Sequence, residues 1–164
     1  MTEAAAAAAG AFAALLQHAR DDPAVTAFWL GGSRGKGRGT AASDYDCLLI
    51  LADGATSSDR RAAEAFRAPG LEDLRIMALG EFERYAAWGS PEAWDRYSFV
   101  HVSALVDKTG AVQPMIDAKA RVPAGEAEAF IGASLDHLVN QAYRALKCLR
   151  DGDALASRLE ASGG

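Results

Sequence analysis

The sequence predicts an α/β (α+β) protein, with strand and helix signals interleaved first and helix signals alone at the end. Three observations carry this. Val25-Thr26-Ala27-Phe28-Trp29-Leu30 is nearly all apolar, with the β-branched and aromatic content of a central strand. Cys47-Leu48-Leu49-Ile50-Leu51 is a second such run, entered through Asp44 and Asp46. Later, Ile131, Leu135, Leu138, Ala142 and Leu149 line one face of a long helix.

In chain order, an alanine-rich helix is expected over 2–20, with Phe12, Leu15, Leu16 and Ala19 as its apolar stripe. Asp21-Asp22-Pro23 stops it, and strands follow over 25–30 and 44–51, joined by a glycine-rich loop. A helix over 59–67 has Ser57 or Ser58 as its cap. Pro69-Gly70 ends that helix, and residues 71–79 read as a third strand before a helix from Gly80 to about Trp88. Ser90-Pro91-Glu92 is a helix start: cap, proline at the first position, acid in the first turn. That helix carries Trp94, Tyr97 and Phe99 toward a fourth strand over 102–107; Lys108-Thr109-Gly110 turns the chain, and Pro114 opens a short helix. Helices over 126–150 and 154–159 complete the chain, broken at Asp151-Gly152. Two domains are expected, 1–122 and a helical segment 123–164.

Composition bounds the function. A chain of 164 residues suffices for one well-cored domain with a small appendage. A net charge of -5 argues against a general nucleic-acid binder, so Arg34, Lys36 and Arg38 form a local basic cluster on an acidic body. Cys47 and Cys148 have no metal spacing and read as buried free thiols of a reducing compartment. Glu3 stands where a secretory signal wants a cation, and no apolar run reaches membrane-span length. A cytoplasmic location without membrane contact is the expectation.

The chemistry concentrates in residues 30–51. Asp44 and Asp46, spaced i, i+2 on a strand, point to one face and repel unless a cation lies between them. Hard oxygen ligands suit Mg²⁺, which fills its remaining positions with water and phosphate oxygens. The loop upstream offers glycines for close backbone approach, the Ser33 hydroxyl, and the cations Arg34 and Lys36. A Walker A loop is excluded because Gly31 and Gly35 are one residue too close and Gly37 follows Lys36. A dinucleotide fingerprint is excluded because Gly35, Gly37 and Gly39 recur at every second position.

Gly32-Ser33, with Asp44-x-Asp46 entering an apolar strand eleven positions after Ser33, resembles the signature of the polymerase-β-type nucleotidyltransferase superfamily. The small lincosamide and aminoglycoside nucleotidyltransferases are the members it resembles most. The resemblance implies a mixed sheet flanked by helices, then a helical domain that helps form the acceptor pocket. Here only one long helix and a stub of a second stand in that place, so a shortened helical domain is expected. It implies Mg²⁺-dependent transfer of a nucleoside monophosphate, AMP from ATP, to a hydroxyl of a small molecule, with antibiotics among the acceptors. Gly32, Ser33, Arg34 and Lys36 would contact the nucleotide, and Asp44, Asp46 and a third carboxylate would hold metal and catalyse.

Asp73, which opens the third apolar run, is the choice for that third carboxylate, as metal ligand, general base or both. Its rivals are Glu72, on the opposite face, and Asp107, which otherwise reads as a turn residue. Lys147 is read as solvated, His18, His101 and His137 as core or surface residues, and Trp88, Trp94 and Tyr97 as packing aromatics. The apolar face from Ile131 to Ala142, short of partners in one chain, predicts a homodimer. Two other functions stay open: an antitoxin-like minimal nucleotidyltransferase acting on a protein partner, and a nucleotide-binding module without turnover.

Overall fold

Strands β1 (Val25–Leu30), β2 (Cys47–Leu51), β3 (Leu74–Ala78) and β4 (Ala104–Asp107) form one mixed sheet in the spatial order β3-β2-β1-β4. The computed structural model describes residues 3–41 and 43–162. In it β1 runs antiparallel to both β2 and β4, and β2 runs parallel to β3. The sheet lies in the first of two compact units, Met1–Arg121; the second is Val122–Gly164.

Strand alternation builds two cores. Val25, Phe28, Cys47, Leu49, Leu74 and Ile76 pack on one face with Leu15 and Ala19 of α1 (Glu3–Asp21). Between β1 and β2 lie α2, a single turn (Gly32–Gly35), and an irregular loop; α3 (Ser57–Glu64) then crosses to β3 and adds Ala63 to this first core. On the other face Trp29, Leu48, Ile50 and Met77 meet Phe82 of α4 (Leu79–Arg84) and Phe99 of a 3-10 helix (Pro91–Phe99). Val112 and Ile116 of α5 (Val112–Lys119) close that side. Val25 and Phe28 share a face despite their odd spacing because an irregularity between Val25 and Ala27 shifts the phase of β1. Phe28 and Trp29 are wholly buried, and large apolar side chains of this kind each contribute about 1.5–3 kcal/mol.

The elements depart from the sequence reading in specific ways. The second strand starts at Cys47, three residues after Asp44, so Asp44 and Asp46 precede the ladder. A helical turn occupies 32–35, where a loop is expected. The third strand is shorter than 71–79: residues 71–73 precede the ladder, and Leu79 already starts α4. The cap of α3 is Thr56, whose hydroxyl accepts the Asp59 N–H at 3.3 Å while the Asp59 carboxylate accepts the Thr56 N–H at 2.6 Å. Ser90-Pro91 opens a 3-10 helix, whose three-residue period aligns Asp95 with Ser98 and Trp94 with Tyr97. Cys47 is buried as expected, which pushes its thiol up to about 12, but Cys148 is only partly covered.

The second unit consists of α6 (Ala124–Arg150) and α7 (Ala154–Ser162). Gly152, at φ +85, makes the turn between them. Arg144 and Glu160 pair across the two helices at 3.6 Å. Ile131, Leu135, Leu138, Tyr143 and Leu146 are all exposed on α6, Leu138 by 62%.

Candidate active site

The site grows from the ends of three strands. Beyond the last residues of β1 and the first of β2, the Gly31 N–H donates to the Asp46 carbonyl at 2.7 Å, which draws the Gly31-Gly32 turn against Asp46. Gly32 has φ +54, and a Cβ there would overlap the Asp46 carboxylate outright. Only glycine satisfies both demands.

Asp73 holds the equivalent position before β3. Cys47 is in register with Leu74, and the Cys47 N–H donates to the Asp73 carbonyl at 2.9 Å. Asp46 and Asp73 therefore stand side by side at the starts of neighbouring parallel strands and line the same pocket. Burial raises the pKa of Asp46, and the charges of Asp44 and then Asp73 raise it further. Its own backbone N–H pulls weakly the other way.

One rung further along the same parallel pair, Leu48 is in register with Arg75. Period-2 alternation puts Asp46 and Leu48 on one side of the sheet, and Asp73 and Arg75 with them. With Trp29, Gly32 and Lys36 they line an open pocket of about 100 Å³. That is room for a phosphoryl group rather than for a whole drug-sized ligand. Lys36 Nζ donates to the Tyr97 carbonyl at 3.0 Å and lies 5.4 Å from the Tyr97 ring centre. On the far wall Asp95, its side chain 4% exposed, accepts hydrogen bonds at 2.5 Å from Arg75 Nη1 and from Tyr85 Oη. Burial first, and then the bond to Asp95, push the Tyr85 phenol up to about 12, against the pull of the Arg75 charge.

The expected site residues divide. Gly32, Lys36, Asp46 and Asp73 meet at the pocket. Asp44 is exposed and outside the lining, acting on Asp46 only through its charge. Ser33 is exposed and also outside the lining. Arg34 turns back on its own loop: Nε donates to the Ser43 and Asp44 carbonyls at 2.9 and 3.1 Å, and the guanidinium sits 4.2 Å over the Tyr45 ring. Asp107 caps a turn, accepting the N–H groups of Gly110, Val112 and Gln113 at 2.8–3.0 Å. Sequence reasoning missed Arg75, Asp95 and Ser98 and left Tyr97 out: Arg75 is two positions after Asp73 and Asp95 three before Ser98, but nothing in the sequence joins the strand to the 3-10 helix.

Among the described residues, no three His, Cys, Asp or Glu side chains gather into a metal-binding group. The oxygen pair of Asp46 and Asp73 is what the pocket offers a cation, and a like-charged pair with one raised pKa is relieved by a hard divalent ion. No helix is long and apolar enough to cross a membrane among the described residues.

No family model matches the chain, and no curated protein matches it. Among solved structures it is similar to a "putative nucleotidyltransferase" from Sulfolobus solfataricus, at 20% identity and a TM-score of 0.36. The likeness covers 50% of this chain and 77% of that one. A likeness of that size leaves the chemistry to be read from the pocket.

Proposed function

We propose that the chain is a Mg²⁺-dependent nucleotidyltransferase that moves a nucleoside monophosphate, AMP from ATP, to a hydroxyl of a small molecule. The observation that carries this reading is the Asp46–Asp73 carboxyl pair, set against a glycine turn with no room for a side chain. Mg²⁺ takes one or two protein carboxylates and completes its shell with water and phosphate oxygens, so a two-carboxylate set fits it. Bound there, the ion supplies charge neutralisation at the α-phosphate and the departing pyrophosphate.

The chain's own residues do the rest. The Gly31-Gly32 turn seats the Asp46 carboxylate, which fills the space that a side chain would take at Gly32. Asp73, exposed while Asp46 is half-buried, takes the proton of the acceptor hydroxyl as its oxygen attacks the α-phosphorus. The bond from the α-phosphorus to the bridging oxygen breaks, and pyrophosphate leaves with that electron pair. Lys36, fixed by Tyr97, adds positive charge beside the phosphates. A lincosamide- or aminoglycoside-like acceptor is suggested by the sequence resemblance, and the exposed apolar residues of α6 support a homodimer.

The test is pyrophosphate release from each nucleoside triphosphate with Mg²⁺, offered a panel of hydroxyl compounds and, separately, protein lysate. Asp73→Asn should cut turnover by about 10²–10⁴-fold while Mg·ATP still binds, and Asp107→Asn should leave turnover near wild type. Pyrophosphate release stimulated by lysate protein and by none of the hydroxyl compounds selects the antitoxin-like alternative. Nucleotide binding without turnover on any acceptor selects the binding module.

A further inference from the structure

We propose that Arg75 is an oxyanion clamp: its Nε–H and Nη2–H groups grip a phosphate of the bound nucleotide, while Asp95 and Tyr85 hold the guanidinium from behind. The proposal rests on the nucleotide-transfer reading and adds a residue to it. Arg75, on β3, follows Asp73 by two positions and lines the same pocket as the acid pair, about 6.6 Å further along the extended chain. Both of its hydrogen bonds among the described residues leave from Nη1, to Asp95 Oδ2 and to Tyr85 Oη. Nε and Nη2 donate to no described protein atom. The side chain is 36% exposed and lines the pocket, whereas Asp95 behind it is 4% exposed.

A buried carboxylate gripping one corner of a guanidinium fixes the plane of the other. The planar fork that remains matches a phosphate through two parallel N–H···O bonds, which a lysine ammonium cannot reproduce. Its guanidinium centre lies 5.6 Å from the Tyr85 ring centre, and the Tyr85 hydroxyl shares the same Asp95 oxygen, so the fork has little freedom to swing. Asp95 and Tyr85 are thus positioning residues, and Arg75 is the contact. A carboxylate on the acceptor would satisfy the same fork, and the experiment separates the two.

The experiment is calorimetric titration of the full chain, with Mg²⁺ present, with ATP, inorganic tripolyphosphate and adenosine. Arg75→Lys keeps a cation beside Asp95 and removes the fork. It should weaken ATP and tripolyphosphate by about 10–100-fold, the range of a charge-assisted contact, and leave adenosine unchanged. Tyr85→Phe keeps Arg75 and Asp95; it should give a smaller loss with the same split between tripolyphosphate and adenosine, which a general loosening of the fold would not produce. Wild-type affinity for ATP and tripolyphosphate in Arg75→Lys would overturn the clamp while leaving the function reading intact. A wild-type chain that binds neither ATP nor tripolyphosphate overturns both readings.

Discussion

The carboxylate of Asp46 occupies the space in which residue 32 would carry a side chain. The glycine turn and the acid, fourteen positions apart in sequence, are therefore one structural unit. What the turn lacks is what lets the acid sit in the pocket rather than beside it.

Gly32→Ala tests that unit. A left-handed backbone costs a non-glycine residue about 1–2 kcal/mol, and at Gly32 the overlap with Asp46 adds to it. Gly37→Ala is the comparison, since Gly37 also has a positive φ, +69, but open space around it. Urea unfolding should show a larger loss for Gly32→Ala, and only that variant should lose affinity for Mg·ATP. Equal losses would mean that backbone strain alone matters at residue 32.

Asp46 should make stability fall with pH. Its folded-state pKa is raised, through burial and the charges of Asp44 and Asp73. The folded chain thus holds the proton over a window where the unfolded chain has released it. Stability is greatest below the ordinary value of 3.8 and declines as pH rises through the folded value. Asp46→Asn removes this decline, so in metal-free buffer at neutral pH its melting temperature should exceed that of wild type. Each 1 kcal/mol of relief corresponds to about 2–4 °C in a chain of this size. A lower melting temperature would show that the carboxylate is stabilising where it stands.

Asp107 should behave in the opposite sense. Burial pulls its pKa up, but the N–H groups of Gln113 and Gly110 and the contacts to Thr109 outweigh it and hold the pKa low. Its stabilisation is present above 3.8 and is lost as pH falls through the lower folded value. Asp107→Ala should destabilise the chain by about 0.5–2 kcal/mol at neutral pH, the range for losing a cap, with the gap to wild type closing in acid. Chemical denaturation at two pH values reads this directly.

The exposed residues of α6 should drive self-association. Light scattering at micromolar concentration should give the mass of two chains for wild type and of one chain for Leu138→Glu, which puts a charge in the middle of the apolar face. A monomeric wild type would remove the homodimer from the reading.

The order of strands and helices was legible because long apolar runs alternate with turn residues, and the adjacency of Asp46 and Asp73 because each directly precedes such a run. The phase slip in β1 was not, since a single irregularity leaves no mark on a run that is apolar on both faces. The alternation that begins at Asp44 places it on the strand, yet regular pairing starts only at Cys47. Arg34 looked like a phosphate ligand by proximity, but two backbone carbonyls and the Tyr45 ring hold it elsewhere. The Arg75–Asp95–Tyr85 cluster draws on β3, the 3-10 helix and the segment after α4, and contacts between separate elements have no local signature.

β3 is an outermost strand, and it reaches β2 only through the α3 crossover. Asp46 and Asp73 thus become neighbours only when a long stretch of chain has closed and an edge strand has docked. Edge strands are where native proteins open first, so amide hydrogens of β3 should exchange with solvent ahead of those in β1. Each such opening separates the two acids, and anything that bridges them, a cation above all, would slow exchange along the whole of β3.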